Sequence, residues 1–166
     1  MFLTGYHGTS ADNATKILDG EFNISSTDVN WLGDGIYFYP EFSDAYEWGP
    51  QMGRPEPEAI IHVIVKVDDN CFLNMDSREG EEIISGIVNI ISKTSSKTIS
   101  AQKNQCAIMR LIWDMCPEVQ VIMAKFPKNP KPFPMVMDLR RYRKEFCLRS
   151  NELIRHKGII ERGEVS

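Results

Sequence analysis

The run Ala59-Ile60-Ile61-His62-Val63-Ile64-Val65-Lys66-Val67 constrains the fold more than any other stretch of the chain. Its β-branched side chains are crowded in a helix and lie well on a pleated surface. Apolar residues fill nearly every position instead of every second one, which marks a strand covered on both faces. Nine residues are too few to cross a bilayer as a helix, which takes ~20. The run therefore predicts a central strand of a sheet.

The segments around it follow from local chemistry. Leu3 to His7 reads as a short opening strand. Ser10 or Asp12 can cap a helix that carries Ala14, Ile17 and Leu18 on one face and ends at Gly20. A loop from Glu21 to Asp34 holds the turn formers Ser25, Ser26, Asp28 and Asn30, and Gly35–Tyr39 is a compact strand. Pro40 suits the first turn of a helix bearing Phe42, Ala45, Tyr46 and Trp48, which should stop at Gly49–Pro50. After a polar loop over 51–58 and the central strand, Glu79–Ile91 forms an amphipathic helix. Lys93–Ser100 is a polar linker and Ala101–Met115 a second helix. Strands are expected at Val119–Ala124, Met135–Leu139, Glu145–Leu148 and Gly158–Glu161, with a rigid loop, KFPKNPKPFP, after the first of these. Strands cluster at both ends with helices between them. That order predicts an α+β fold, a single domain over 1–166, in place of alternating βαβ units.

Composition excludes several classes. With 42% hydrophobic and 25% charged residues the chain can bury a core, and no apolar run reaches transmembrane length. The N-terminal MFLTGYHG has neither a basic lead nor a long apolar region, so no signal peptide and a cytoplasmic location are expected. Cys71, Cys106, Cys116 and Cys147 form no CxxC pair and no ligand rhythm with the three histidines, so reduced thiols and no metal are expected. Charge is lopsided: residues 1–100 hold six basic against sixteen acidic side chains, and residues 101–166 hold thirteen against seven. Either the halves pack together and mix their charges, or a basic side is left for an anionic partner.

Three short segments carry the candidate chemistry: Tyr6-His7-Gly8-Thr9-Ser10, Gly33-Asp34-Gly35-Ile36-Tyr37-Phe38, and Glu145-Phe146-Cys147-Leu148-Arg149. Singly, each has a plain structural reading: a satisfied histidine, a tight turn feeding a strand, a solvated edge carboxylate. Together and in this order they resemble the poly(ADP-ribose) polymerase-like, His-Tyr-Glu branch of the ADP-ribosyltransferases. The first two motifs are the specific ones. The third is looser, and Glu118 is the alternative carboxylate. The resemblance covers residues 5–49 and 145–154.

The resemblance implies a split, mixed/antiparallel β-sheet core with flanking helices and a helical insertion at about 79–115. It implies NAD as co-substrate and no metal. Glu145 would stabilise the positive charge that builds on the ribose as nicotinamide leaves, which is electrostatic preorganisation. His7 would bind a ribose hydroxyl, the Gly8 backbone would pair with the carboxamide, and Thr9 would lie beside them in the dinucleotide site. Tyr37 would stack on the nicotinamide. Ungapped alignment puts Ala45 and Trp48 at the second wall, whereas a two-residue slide puts Ser43 and Tyr46 there. Trp48 is favoured for stacking and Ser43 stays open.

The residue two before the glutamate is Arg143, within Arg140-Arg141-Tyr142-Arg143-Lys144. Arg140, Arg141 and Arg143, with Lys125, Lys128 and Lys131 nearby, suit a phosphate-bearing acceptor, so nucleic acid (RNA or DNA) is placed ahead of protein. Single transfers are expected. By analogy the chain suits the toxin of a toxin–antitoxin or anti-phage system, with an antitoxin protein as partner. Other readings are a tRNA 2′-phosphotransferase-like enzyme, which shares the His-Gly-Thr start but lacks a reason for GDGIYF, simple NAD hydrolysis, and a non-enzymatic NAD- or ADP-ribose-binding module.

Overall fold

The computed structural model describes residues 1–27, 30–51, 53–94, 101–127 and 142–160. Among them the elements run β1 (Phe2–Thr9), α1 (Ala11–Asp19), β2 (Ile36–Phe38), α2 (Phe42–Gln51), β3 (Ala59–Lys66), β4 (Phe72–Asn74), α3 (Arg78–Thr94), α4 (Ala101–Met115), β5 (Val121–Pro127), β6 (Tyr142–Leu148) and β7 (Ile154–Ile160). This is the expected α+β class. The strands form two sheets, β1-β3-β7 and β2-β6-β5-β4. The first is antiparallel throughout, and in the second only β4 and β5 run parallel. The β-branched run is β3, central in its sheet as its composition predicted.

The sheets face each other across one core. Ile61, Val63 and Val65 of β3 meet Ile36 and Phe38 of β2, Phe146 and Leu148 of β6, and Val121 of β5, and α1 adds Ala14 and Ile17. Phe38 and Phe146 stack with centroids 5.4 Å apart. Each such side chain contributes about 1.5–3 kcal/mol through burial. The opposite face of the second sheet is covered by α3 and α4, whose Ile87, Met109, Ile112 and Trp113 pack on Leu73, Ile122 and Cys147. α2 lies on the first sheet, where Ala45 packs with Tyr39 and Ile60.

Several expected boundaries move, for physical reasons. Ser10, not Asp12, caps α1: its Oγ accepts from the Asn13 N–H at 3.3 Å. α2 begins at Phe42, beyond Pro40, and continues through Pro50 to Gln51. Proline in a last turn forfeits one hydrogen bond, and the Arg54 N–H donates to the Gly49 carbonyl at 2.8 Å beyond it. β6 begins at Tyr142, so Glu145 is its fourth residue and not its opening one. β5 starts two residues later than expected and runs to Pro127, and β7 begins at Ile154. The three-residue strand β4 carries no periodic signal, and its parallel pairing with β5 fixes it. The expected linker 93–100 is helical through Thr94; the rest of it and the expected strand Met135–Leu139 lie outside the described residues.

Candidate active site

Among the described residues the two sheets meet in a single backbone bridge. The Tyr6 N–H donates to the Tyr39 carbonyl at 2.8 Å and the Tyr39 N–H to the Tyr6 carbonyl at 2.9 Å. Past this bridge β1 and β2 part, and the candidate residues sit around the seam. His7 spans it: its Nδ1 lies 3.0 Å from the Tyr37 carbonyl. A carbonyl only accepts, so Nδ1 carries the proton, and in the neutral ring Nε2 is left as an acceptor. Burial lowers the His7 pKa more than this hydrogen bond raises it, which favours the neutral ring. Its ring packs edge-on against Phe22 and Phe38, at 5.3 and 6.0 Å between centroids.

Gly8 follows on the same edge. Antiparallel alternation turns its N–H and C=O to the same side as those of Tyr6, away from β3 and toward β2. A Cβ here would stand 2.6 Å from the Ala45 carbonyl and 3.1 Å from Pro57, so glycine is required by the packing of α2 and the 53–58 loop. Thr9 turns back: its carbonyl accepts from the Glu58 N–H at 3.0 Å, and Glu58 in turn accepts from the Ala11 N–H.

The GDGIYF turn is held from outside by α4. Gly33 has φ +83° and lies against Trp113, whose Nε1 donates to the Leu32 carbonyl at 2.8 Å. Arg110 pairs with Asp34 at 3.1 Å, joining the basic half of the chain to the acidic half. Tyr37 projects into the helix-covered side of the second sheet. Its hydroxyl donates to the Gly33 carbonyl at 2.5 Å and accepts from the Leu32 N–H at 3.0 Å. Burial raises its pKa.

Glu145 reaches the same seam through register. Tyr37 pairs with Cys147 and Phe38 with Phe146, which carries Tyr39 alongside Glu145. Glu145 is 6% exposed and Asp44 on α2 is 5% exposed; they are the buried charged residues among those described. Arg143 Nε donates to Glu145 Oε1 at 2.7 Å, with both side chains nearly covered, at 12% and 8% exposure. The Tyr39 hydroxyl also hydrogen-bonds the carboxylate. The Arg143 guanidinium lies 5.7 Å from the centre of the Tyr39 ring. Burial raises the Glu145 pKa and the Asp44 charge adds to this, while Arg143 and the Tyr39 hydroxyl pull it down.

The expected residues are thus brought together unevenly. His7, Gly8, Tyr37 and Glu145 lie on the adjoining strands β1, β2 and β6. The His7 ring packs with Phe38, whereas the side chains of Tyr37 and Glu145 project from the opposite face of the second sheet. Ser43 is exposed on α2, Ala45 is buried, and the Trp48 ring lies under Arg54 at 5.0 Å. Tyr46 hydrogen-bonds Glu56 and lines a surface cavity of about 390 Å³ with Phe42, Pro57 and Ile160, between α2 and the start of β3. Glu118 is exposed in the turn before β5. Arg143, expected on the acceptor side, gives its guanidinium to Glu145. Arg140, Arg141, Lys128 and Lys131 lie outside the described residues. Sequence reasoning missed Tyr39, Asp44, Arg110 and Trp113. It held a signal for one pairing: Arg143 and Glu145 are two apart on a strand and therefore share a face.

Among the described residues no group of three or more His, Cys, Asp or Glu side chains could hold a metal, and no helix is long and apolar enough to cross a membrane. No family model matches the sequence. An uncharacterized protein of Methanocaldococcus jannaschii is 49% identical over 111 residues, an alignment covering 63% of this chain and 52% of that protein. The chain therefore spans about half the length of this relative.

Proposed function

We propose that the chain is an NAD-dependent mono-ADP-ribosyltransferase of cytoplasmic, toxin-like type, acting on a macromolecule and releasing nicotinamide. The observation that carries the reading is that three sequence-distant motifs, at positions 7, 37 and 145, lie on adjoining strands around one seam, with Tyr37 and Glu145 on one face of the second sheet and the His7 ring on the other. The acceptor-ready Nε2 of His7 suits a ribose hydroxyl, which donates. The outward N–H and C=O of Gly8 suit a carboxamide, which offers one acceptor and one donor. Thr9, Tyr37 and Trp48 extend the site, with Ser43 as the less favoured wall residue. Tyr37 has its hydroxyl committed to the 32–33 turn, so its part is played by the ring.

In the reaction the bond from the ribose carbon to the nicotinamide nitrogen breaks, and its electron pair leaves with neutral nicotinamide. The ribose carbon then bonds an oxygen or nitrogen of the acceptor, which gives up one proton. Glu145, in a site where water is largely excluded, opposes the positive charge that develops between these events. A nucleic-acid acceptor is favoured over protein because Lys144 pairs across the sheet with Lys125, both exposed, beside Tyr142 at 61% exposure.

Labelled NAD, incubated with total RNA, DNA or protein, tests this with wild type and Glu145→Gln. Transfer to nucleic acid is expected, reduced about a hundredfold or more in the variant. Undiminished label in the variant removes Glu145 from the mechanism, and no NAD turnover with any acceptor refutes the reading.

A further inference from the structure

We propose that His62 and His156 form a binding site for a divalent transition metal of the zinc, copper or nickel class, and that the ion ties the edge strand β7 to the central strand β3. The inference stands apart from the transferase reading and uses none of the residues assigned to it.

Register brings the two rings together from distant parts of the chain. In the antiparallel β3–β7 ladder His62 lies opposite Gly158 and Ile64 opposite His156, so the histidines are diagonal neighbours on one face. Ile61, Val63 and Val65 point into the core, so alternation turns His62 and Ile64 to the outer face of the first sheet. The two ring centres stand 6.1 Å apart. Gly158 has no side chain to come between them. A Cβ there would stand 3.4 Å from His156 Nε2, which places that nitrogen over the glycine and toward His62.

Both rings have nitrogens to give. Among the described residues neither His62 nor His156 hydrogen-bonds through its ring, and no buried side-chain nitrogen lacks a partner, so the nitrogens of half-buried His62 open to solvent. His7 differs, being covered and having Nδ1 committed to the Tyr37 carbonyl. Above the ordinary imidazole pKa of about 6.5 each outer ring presents a lone pair, and neutral imidazole suits zinc, copper and nickel. An ion about 2.0–2.1 Å from a ring nitrogen stands about 3.2 Å from the ring centre, so rings sharing it have centres at most about 6.4 Å apart, and about 5.2 Å at the tetrahedral angle. The observed spacing lies within the first limit, and the exposed His156 ring can close the difference by turning about its side-chain bonds. Among the described residues no third ligand completes the pair, so water fills the remaining positions and the ion exchanges.

The clip falls where the sheet is held least. β7 pairs on one side only, with β3, and its strand order depends on that ladder alone. On its other side the His62 ring lies 5.4 Å from the ring of Tyr6, whose backbone bridges the two sheets, so the ion sits one ring away from the seam.

Two measurements on the full, untagged chain test the site. In the first, protein freed of metal by a chelator is melted at pH 7.5 with zinc or with magnesium. Zinc at about a hundredfold excess over its dissociation constant should raise the midpoint by about 5–10 °C, and magnesium, which prefers oxygen ligands, should not. No rise with zinc overturns the site, as does an equal rise with magnesium. His62→Asn and His156→Asn should each melt like wild type without metal and bind zinc about a hundredfold more weakly, because the second contact of a two-point ligand is intramolecular. A weakening of only about twofold would mean two independent rings and overturn the clip.

The second measurement needs no variant. The imidazole nitrogen-15 signals of wild type are followed as zinc is added. One nitrogen of His62 and one of His156 should shift together while both nitrogens of His7 stay fixed. Zinc that moves His7, only one of the outer rings, or the cysteine β-carbons in their place overturns the assignment. A zinc-dependent dimer in size-exclusion chromatography overturns it too, since two copies would then share the ion.

Discussion

Replacing Arg143 by Met strands a carboxylate inside the protein, and the cost can be worked from the pair itself. Both side chains are nearly covered, at 12% and 8% exposure, and the contact is 2.7 Å. Breaking a buried pair by removing one partner costs about 3–5 kcal/mol, whereas an exposed pair costs about 0–1. The Tyr39 hydroxyl still donates to Glu145, so the lower end, about 3 kcal/mol, is expected. Glu145→Gln in the Met background removes the stranded charge and should recover most of the loss, leaving a coupling of about 2 kcal/mol in the double-mutant cycle.

The cost should also depend on pH with a definite sign. Burial already raises the folded pKa of Glu145, and Arg143 is the principal group lowering it. Without Arg143 the folded pKa climbs further above the unfolded value. A carboxyl raised in this way contributes stability below its unfolded pKa, and that contribution is lost as pH rises through the folded pKa. The deficit of Arg143→Met relative to wild type should therefore widen with pH, by at most about 1.4 kcal/mol per unit between the two folded pKa values. Urea unfolding followed by tryptophan fluorescence at pH 5 and pH 8 measures it, and the titration of His7 cancels because both proteins contain it. A deficit under about 1 kcal/mol, or one that narrows with pH, would show that the pair behaves as an exposed one and refute the reasoning.

Two further outcomes follow from the seam. His7 has its pKa depressed, so folding stability should be fully present above its unfolded value, about 6.5, and fall as pH drops toward the folded one. His7→Asn keeps a donor for the Tyr37 carbonyl and should flatten the curve of urea midpoint against pH in this window; parallel curves would rule the cause out. Tyr37→Phe keeps the ring and strands the Leu32 N–H and the Gly33 carbonyl, so a loss of about 1–3 kcal/mol is expected. A thermal or urea midpoint equal to that of wild type would show that the hydroxyl is not the anchor of the 32–33 turn.

Legibility in the sequence followed the range of the interactions. The β3 run and the α4 span, Ala101–Met115, are set by their own side-chain patterns and are found where those patterns put them. β4 was illegible because its three residues become a strand only by pairing with β5, some fifty positions away. At the site, His7 and Tyr37 stood out through short motifs, while Tyr39 was only the last residue of an expected strand. Its approach to Glu145 depends on the β2–β6 register, and no local signal specifies that register. No sequence signal marked Asp44, an acidic residue in the first turn of α2. Its burial is decided by how α2 lies on the first sheet, a tertiary fact.

The interleaving of the two sheets has a kinetic consequence. The chain crosses from one sheet to the other between β1 and β2, again between β2 and β3 and between β3 and β4, and once more between β6 and β7. Neither sheet can be completed before the other is well advanced, because β7 must reach β3 and β6 must reach β2 across most of the chain. Loop closure of that length precedes any reward from the pairing. Folding should accordingly be slow for a chain of this size and close to all-or-none. The Tyr6–Tyr39 bridge closes a much shorter loop, so it can be in place before the pairings of β6 and β7 that complete the two sheets.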